Sequence, residues 1–387
     1  MGIDSQWLED VLLGILSIDT QVPLGETEIL PGDPRIVKAV EEFVLPRIEE
    51  LRPAEVRMHP MKDIAARFGP SGDDGLLIQT YVVSQHSNLM DDARSGTIVD
   101  GTDYGLEGKC AVGQGASQTK GSLASAFAAV KSLSGLKKPV WLTVNTEGRS
   151  SHGGSMRLLD DLGVQAAFGI VSIGTDLRIS LGNRGRADVE IRVSGASSHS
   201  SQPWLGSNPI ERAADVVTAL RTLALPEPHP HLGPVTVTPY QLRCSPVAPH
   251  TVPETALVVV DRRLLPEEQP ESAVEEIRAH LDAAQVEGVD VELGAWMLPA
   301  EVDKDSLIVR ALQEGSSASS GVPAATFWSL NAFDAGYSSS VGIPTPMFGP
   351  GKRQFSGEGL VGSDAVSISD CLVAASTIAH AAQAICS

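Results

Sequence analysis

The 387-residue chain predicts an α/β fold: a mainly parallel sheet sandwiched by helices, with a ferredoxin-like α+β domain inserted into it. Three observations carry that expectation. Up to about residue 180, short apolar runs alternate with helix-patterned segments, the order of a parallel sheet covered on both faces. Beyond it, Asp188-Val189-Glu190-Ile191-Arg192-Val193 alternates strictly between polar and apolar residues, as a strand with one wet face does. The elements that follow run strand, helix, strand, strand, helix, strand, after which the texture of the first part returns. The domains are therefore expected at 1–180 with 298–387, and at 181–297.

Taken in order, residues 34–51 place apolar side chains at helical spacing with charges between them, an amphipathic helix. Leu76–Val83 is a short apolar run that reads as a buried strand and delivers His86, Asn88, Asp91 and Asp92 to its carboxyl end, where open α/β sheets bind ligands. Gly121–Leu133 is a helix rich in small residues, suited to close packing. Val140–Val144 is the next strand and leads into Asn145-Thr146-Glu147-Gly148-Arg149-Ser150-Ser151-His152. In the inserted part, helices are expected at 207–224 and 268–284, and further strands at 234–242, 255–263 and 288–296. Helices near 304–320 and 366–385 close the chain.

A net charge of −19 repels nucleic acid and anionic membrane, so neither is expected as a partner. The four cysteines, at 110, 244, 371 and 386, have no metal-like or paired spacing and fit reduced thiols. No signal pattern opens the chain and no apolar run is read as membrane-spanning, so a cytoplasmic protein is expected.

Several short motifs stand in a telling order. They are His86-Ser87-Asn88, the Gly113–Gly121 segment (GQGASQTKG), Ser198-His199-Ser200-Ser201-Gln202-Pro203 with Gly206-Ser207-Asn208-Pro209-Ile210, His250–Glu254 leading into Asp261–Pro266, and the turn Phe348-Gly349-Pro350-Gly351. Together they resemble the acetylornithine deacetylase, succinyl-diaminopimelate desuccinylase and glutamate carboxypeptidase family (peptidase family M20). The resemblance implies a zinc-exopeptidase-like fold, two zinc ions that hydrolyse amides of small carboxylated molecules, and a homodimer formed through the inserted domain. It also implies that a histidine of the SHSSxP segment, here His199, polarises the scissile carbonyl across that dimer.

A two-zinc site needs carboxylates and neutral imidazoles about 2 Å from the ions. Set against the family's ligands, His86 matches the first histidine, while its orienting aspartate is Asn88 and the bridging aspartate is Gln118. The EExGSxG pattern is set on Gly154-Ser155, with Gly148 taken at the general base and Arg149 at the ligand carboxylate. Ile173 falls at the next carboxylate, and no histidine lies between Gly351 and His380. A permanent cation such as Arg149 would repel divalent metal. No metal and no other cofactor is therefore expected.

The expectation is a metal-independent enzyme built on the old pocket, acting on a small carboxylated amide or amino-acid-derived metabolite. Arg149 and Lys120 would supply fixed positive charge to an oxyanion, His86 or His152 would carry the proton, and His199 would polarise the carbonyl. Asn88, Gln118, Glu147, Asn208 and Arg184 are expected to line the substrate, with Arg186, Lys352 and Arg353 as further carboxylate anchors. Two alternatives stay open. One is a non-catalytic binding or gatekeeper protein that assists a partner enzyme. The other is a rebuilt single-metal site drawing on His86, Asp91 or Asp92, Glu147 and His152.

Overall fold

In a computed structural model, which describes residues 2–22, 28–30, 32–84, 96–147, 151–351 and 364–387, the chain forms two compact units. The first contains 1–182, 300–328 and 337–387; the second contains 183–299 and 329–336. The segment 329–336, expected in the first body, clusters with the second.

The first unit is organised by a five-stranded sheet in the order Glu55–Met58, Ile64–Phe68, Val140–Asn145, Leu76–Tyr81, Phe168–Val171. The last three run parallel, and the first two continue the sheet antiparallel. A sheet with two parallel and two antiparallel joints is mixed, which corrects the expectation of a mainly parallel one. The cause is a hairpin at 55–68: a connection of only a few residues can join strands only antiparallel. A further antiparallel sheet joins Ala365–Ser367, Lys109–Val112 and Thr97–Asp100.

Helices cover the central sheet. Ser5–Leu16 is capped by Asp4, whose carboxylate accepts the Trp7 N–H, and Pro34–Lys38 opens with Asp33 as cap and proline in the first turn. That second helix continues through a π-turn, Ala39–Val44, into Leu45–Glu50. Gly121–Lys131 is buried at every position but its last, so small side chains let it sit deep between neighbours. Its core partners include Leu12, Ile15, Ile78, Leu142 and Ile378. The helix Ile368–Cys386 is, by length and composition, apolar enough to cross a bilayer, contrary to the expectation that no run would be. More than half of it is buried against Leu307–Ser320 and Gly121–Lys131, as in a core helix.

The second unit holds a four-stranded antiparallel sheet in the order Val237–Ser245, Thr255–Leu264, Gly185–Ser194, Val289–Met297. The helices Pro209–Leu220 and Pro270–Ala283 pack on the face that carries Ala187, Val189, Ile191, Val193, Val258 and Val260. This is the strand order of a ferredoxin-like unit. The alternation along 188–193 is what sends one set of side chains to those helices.

Candidate functional site

Three turns of the first unit come to backbone contact at the site where the Gly113–Gly121 segment lies. A Cβ added to Gly174 or to Gly351 would fall 2.0 Å from the Ser117 carbonyl oxygen, so only glycine fits either position. The Gly174 N–H donates to the Gln118 carbonyl at 2.9 Å, and the Asp176 N–H donates to Gly351 at 2.9 Å. Asp364 ties the segment together: its carboxylate accepts the Gly115 and Ser117 N–H groups, each at 2.7 Å, and its carbonyl accepts Gly113 at 2.9 Å. Burial pushes the Asp364 carboxyl above its usual range, and the Ser117 and Gly115 donors only partly restrain it. Reading the sequence missed Asp364; its one signal is an acidic residue directly ahead of the apolar strand Ala365–Ser367.

Lys120 lies inside the fold, fully buried, with Nζ donating to the Ile18 carbonyl at 2.8 Å. Burial brings its ammonium down to about 8, against the pull of Asp19 and Asp364. It props the segment 17–19 from within, and its charge is directed at backbone. Gln118 is half-buried on the same turn, and Ile173, the aliphatic residue at a carboxylate position, is buried.

A second group gathers past the end of the Val140–Asn145 strand. The Glu147 carboxylate accepts the Ser151 hydroxyl at 3.1 Å through Oε1 and pairs with Arg157 Nη2 at 2.9 Å through Oε2. Arg157 also holds Asp63, a carboxylate with no exposed surface that accepts the Thr146 N–H and hydroxyl at 2.9 and 3.0 Å. Burial alone would lower the Arg157 guanidinium, but Asp63 and Glu147 outweigh it and hold it above its ordinary value. Asn145 Oδ1 accepts the Glu147 N–H at 2.7 Å. His152, almost completely buried, sets its ring 5.4 Å from that of Tyr337, whose hydroxyl bonds Asp160. Asp63 and Arg157 were not singled out from sequence.

In the second unit, His199 is exposed, its Nδ1 2.8 Å from the Ser201 hydroxyl and its ring stacked 6.1 Å from His250. Asn208 caps the helix Pro209–Leu220, accepting the Ile210 N–H at 3.1 Å and donating to Glu211. Arg184 is buried and donates to the Leu232 carbonyl, pinning the turn at 229–233; burial, with Arg263 nearby, lowers its guanidinium. Arg186 pairs with Asp188 at 3.3 Å. His86, Asn88, Asp91, Asp92, Arg149, Lys352 and Arg353 lie outside the described residues. The structure thus brings Glu147 and His152 into one neighbourhood with Ser151, and sets Asn208 and Arg184 to structural bonds.

In the pattern EExGSxG one residue separates the paired carboxylates from Gly-Ser. With Gly154-Ser155 in place those positions fall on Ser151 and His152, which corrects their placement at Gly148 and Arg149. The residues present do not fit a two-zinc centre. The bridging position is a neutral amide, another carboxylate is aliphatic, and Glu147 is already engaged by a guanidinium. Among the described residues, no group of three or more His, Cys, Asp or Glu side chains could hold a metal ion.

Comparison with known proteins gives a consistent picture. A family model described as "Peptidase dimerisation domain" matches residues 181–289. The chain is 27% identical over 213 residues to the uncharacterized protein YgeY of Escherichia coli (strain K12), a match covering 51% of this chain and 53% of that one. It is 28% identical over 174 residues to acetylornithine deacetylase of Vibrio campbellii, covering 43% and 44%. The chain therefore spans about half the length of the curated relatives it matches. Solved structures align over far more of it. Aminopeptidase PepT of Bacillus cereus gives a TM-score of 0.69 at 15% identity over 99% of both chains. The dipeptidase Dug1p of Saccharomyces cerevisiae gives 0.73 at 12% identity, over 100% of this chain and 99% of that one. At these identities the likeness is one of fold.

Proposed function

We propose that this chain is a divergent relative of the M20 peptidases, whose dimerisation domain matches residues 181–289, and that it is a metal-independent enzyme acting on a small carboxylated amide or amino-acid-derived metabolite. The chemistry is acyl transfer, cyclisation, condensation or amide cleavage. The observation that carries this reading is Gln118, a neutral amide at the position of the bridging carboxylate, on a turn whose backbone geometry is otherwise kept by Asp364, Gly174 and Gly351. A turn braced so closely around an exchanged ligand position favours reuse of the site over its abandonment.

Fixed positive charge near the Val140–Asn145 strand end comes from Arg157, which is half-buried and held by two carboxylates. His199 acts from a partner subunit in a homodimer formed through the second unit. Its exposed ring and the family model over 181–289 support that role. Within that unit, the edge strand Val237–Ser245 exposes Tyr240 and Leu242 and is the face we assign to the dimer.

The test is turnover of an N-acyl amino-acid panel by the full chain, with and without a strong chelator, alongside metal analysis by inductively coupled plasma mass spectrometry. Turnover that survives chelation with metal well below one equivalent supports the reading. Activity that appears only on adding zinc, cobalt or manganese would overturn it. Tight ligand binding with no turnover would replace it by a binding or gatekeeper role beside a partner enzyme.

A further inference from the structure

The structure assigns Ser151 and Glu147 as a nucleophile and its proton acceptor for acyl groups; the assignment rests on the metal-independent reading and sharpens it. A serine hydroxyl is a weak nucleophile until a neighbouring base takes its proton. Ser151 Oγ donates to Glu147 Oε1 at 3.1 Å, within reach for general-base catalysis, and both side chains are half-buried rather than sealed in the core. Sequence adjacency would suggest His152 as the partner of Ser151. Its ring instead lies against Tyr337, and the hydroxyl meets the carboxylate.

The carboxylate is fixed from several sides. Arg157 holds Oε2 at 2.9 Å, Asn145 holds the Glu147 N–H at 2.7 Å, and Arg157 is anchored in turn on fully buried Asp63. Asp63, Arg157, Glu147 and Ser151 thus form one line from the core to half-buried Ser151, of which the first two are positioning residues. The Gly153 N–H donates to Ser151 Oγ at 3.3 Å and leaves the hydroxyl proton directed at Glu147. Asn145 Nδ2 is buried beneath Gly154 and, among the described residues, has no hydrogen-bond partner.

The step balances without metal or redox partner. Ser151 Oγ bonds to the acyl carbon as its proton passes to Glu147. The bond to the leaving alcohol or thiol then breaks, and the leaving group takes that proton. Water or an amine delivers its own proton to Glu147, attacks the acyl-serine, and returns Ser151 to its hydroxyl. A carboxylate is a weak base for a hydroxyl proton, so the pair suits activated acyl donors, esters and thioesters, better than unactivated amides.

The experiment incubates the full chain, chelator present, with p-nitrophenyl acetate and separately with a fluorophosphonate, and maps the adduct by fragmentation mass spectrometry. One adduct on Ser151 is expected, absent in Ser151→Ala. Glu147→Gln should slow acylation about 10²-fold or more and Glu147→Asp should recover part of it, with circular dichroism confirming that each variant folds. An adduct on another residue, no adduct, or an unchanged rate in Ser151→Ala overturns the assignment. Metal-free turnover of N-acyl amino acids without Ser151 labelling would sink the pair alone. Labelling of Ser151 without any such turnover would sink the broader reading alone.

Discussion

Arg157→Met removes the guanidinium that joins Asp63 to Glu147 while keeping much of the side chain's apolar bulk. Asp63 has no exposed surface, so the variant leaves a carboxylate inside the fold without its countercharge. Breaking a buried pair from one side costs about 3–5 kcal/mol. Two features reduce that figure here. Arg157 and Glu147 retain 14% and 15% of their side-chain exposure, and Asp63 keeps its two bonds from Thr146. We expect a loss of about 2–4 kcal/mol, or a fall in Tm of about 4–8 °C for a unit of this size. Urea titration and thermal melts monitored by circular dichroism would measure it. The companion variant Asp63→Asn should lose less, and Asp63→Asn with Arg157→Met should lose less than the two effects added, because the stranded charge is gone. A melt of Arg157→Met within a degree or so of the parent would refute the idea that this ion pair holds Asp63 in place.

Other outcomes follow from the same geometry. Gly174→Ala and Gly351→Ala each drive a methyl to 2.0 Å from the Ser117 carbonyl, and should reduce folded yield sharply; normal melting of either would show that the three turns can separate at little cost. Lys120 has a folded value near 8 against an ordinary 10.5, so between those values the unfolded chain binds the extra proton. Stability should then rise with pH across that window by up to about 3 kcal/mol, a slope that Lys120→Met should flatten in denaturation curves taken at pH 8 and 10. Asp364 works in the opposite sense: its folded value is raised, so stability should fall as pH climbs above 3.8 toward that value, and Asp364→Asn should remove this term. Tyr240→Glu with Leu242→Glu places charge on the edge strand we assign to the dimer; light scattering should report half the parent mass, and an unchanged mass would exclude that edge.

What could be read from the residues themselves were the elements whose burial is written locally. The continuous apolar run at Leu76–Tyr81 and the strict alternation at 188–193 each declare which faces are covered. The hairpin at 55–68 did not declare itself. Glu55–Met58 is a half-exposed edge of only four residues whose Arg57 and Glu55 pair with each other and whose apolar Val56 and Met58 face outward. Missing that hairpin turned a mixed sheet into a parallel one. At the site, glycines announce close approach within their own turn, so Gly113–Gly121 and the turn at 348–351 were visible. The residues that complete the arrangement act across the chain. Asp63 meets Arg157 from 94 positions away, and Asp364 meets Gly115 from 249. Neither partnership leaves a periodicity or a short motif, and only the fold brings the partners together.

The grip of Asp364 on Gly115 and Ser117 bears on how this pocket could change over generations. Its shape is set by main-chain bonds to one internal carboxylate and by glycines that touch. The main-chain bonds of Gly115 and Ser117 to Asp364 do not use the side chain of residue 118. Such a mould tolerates the exchange of an aspartate for Gln118 with its walls unmoved, so a lineage can shed one chemistry and try another before the architecture registers the loss.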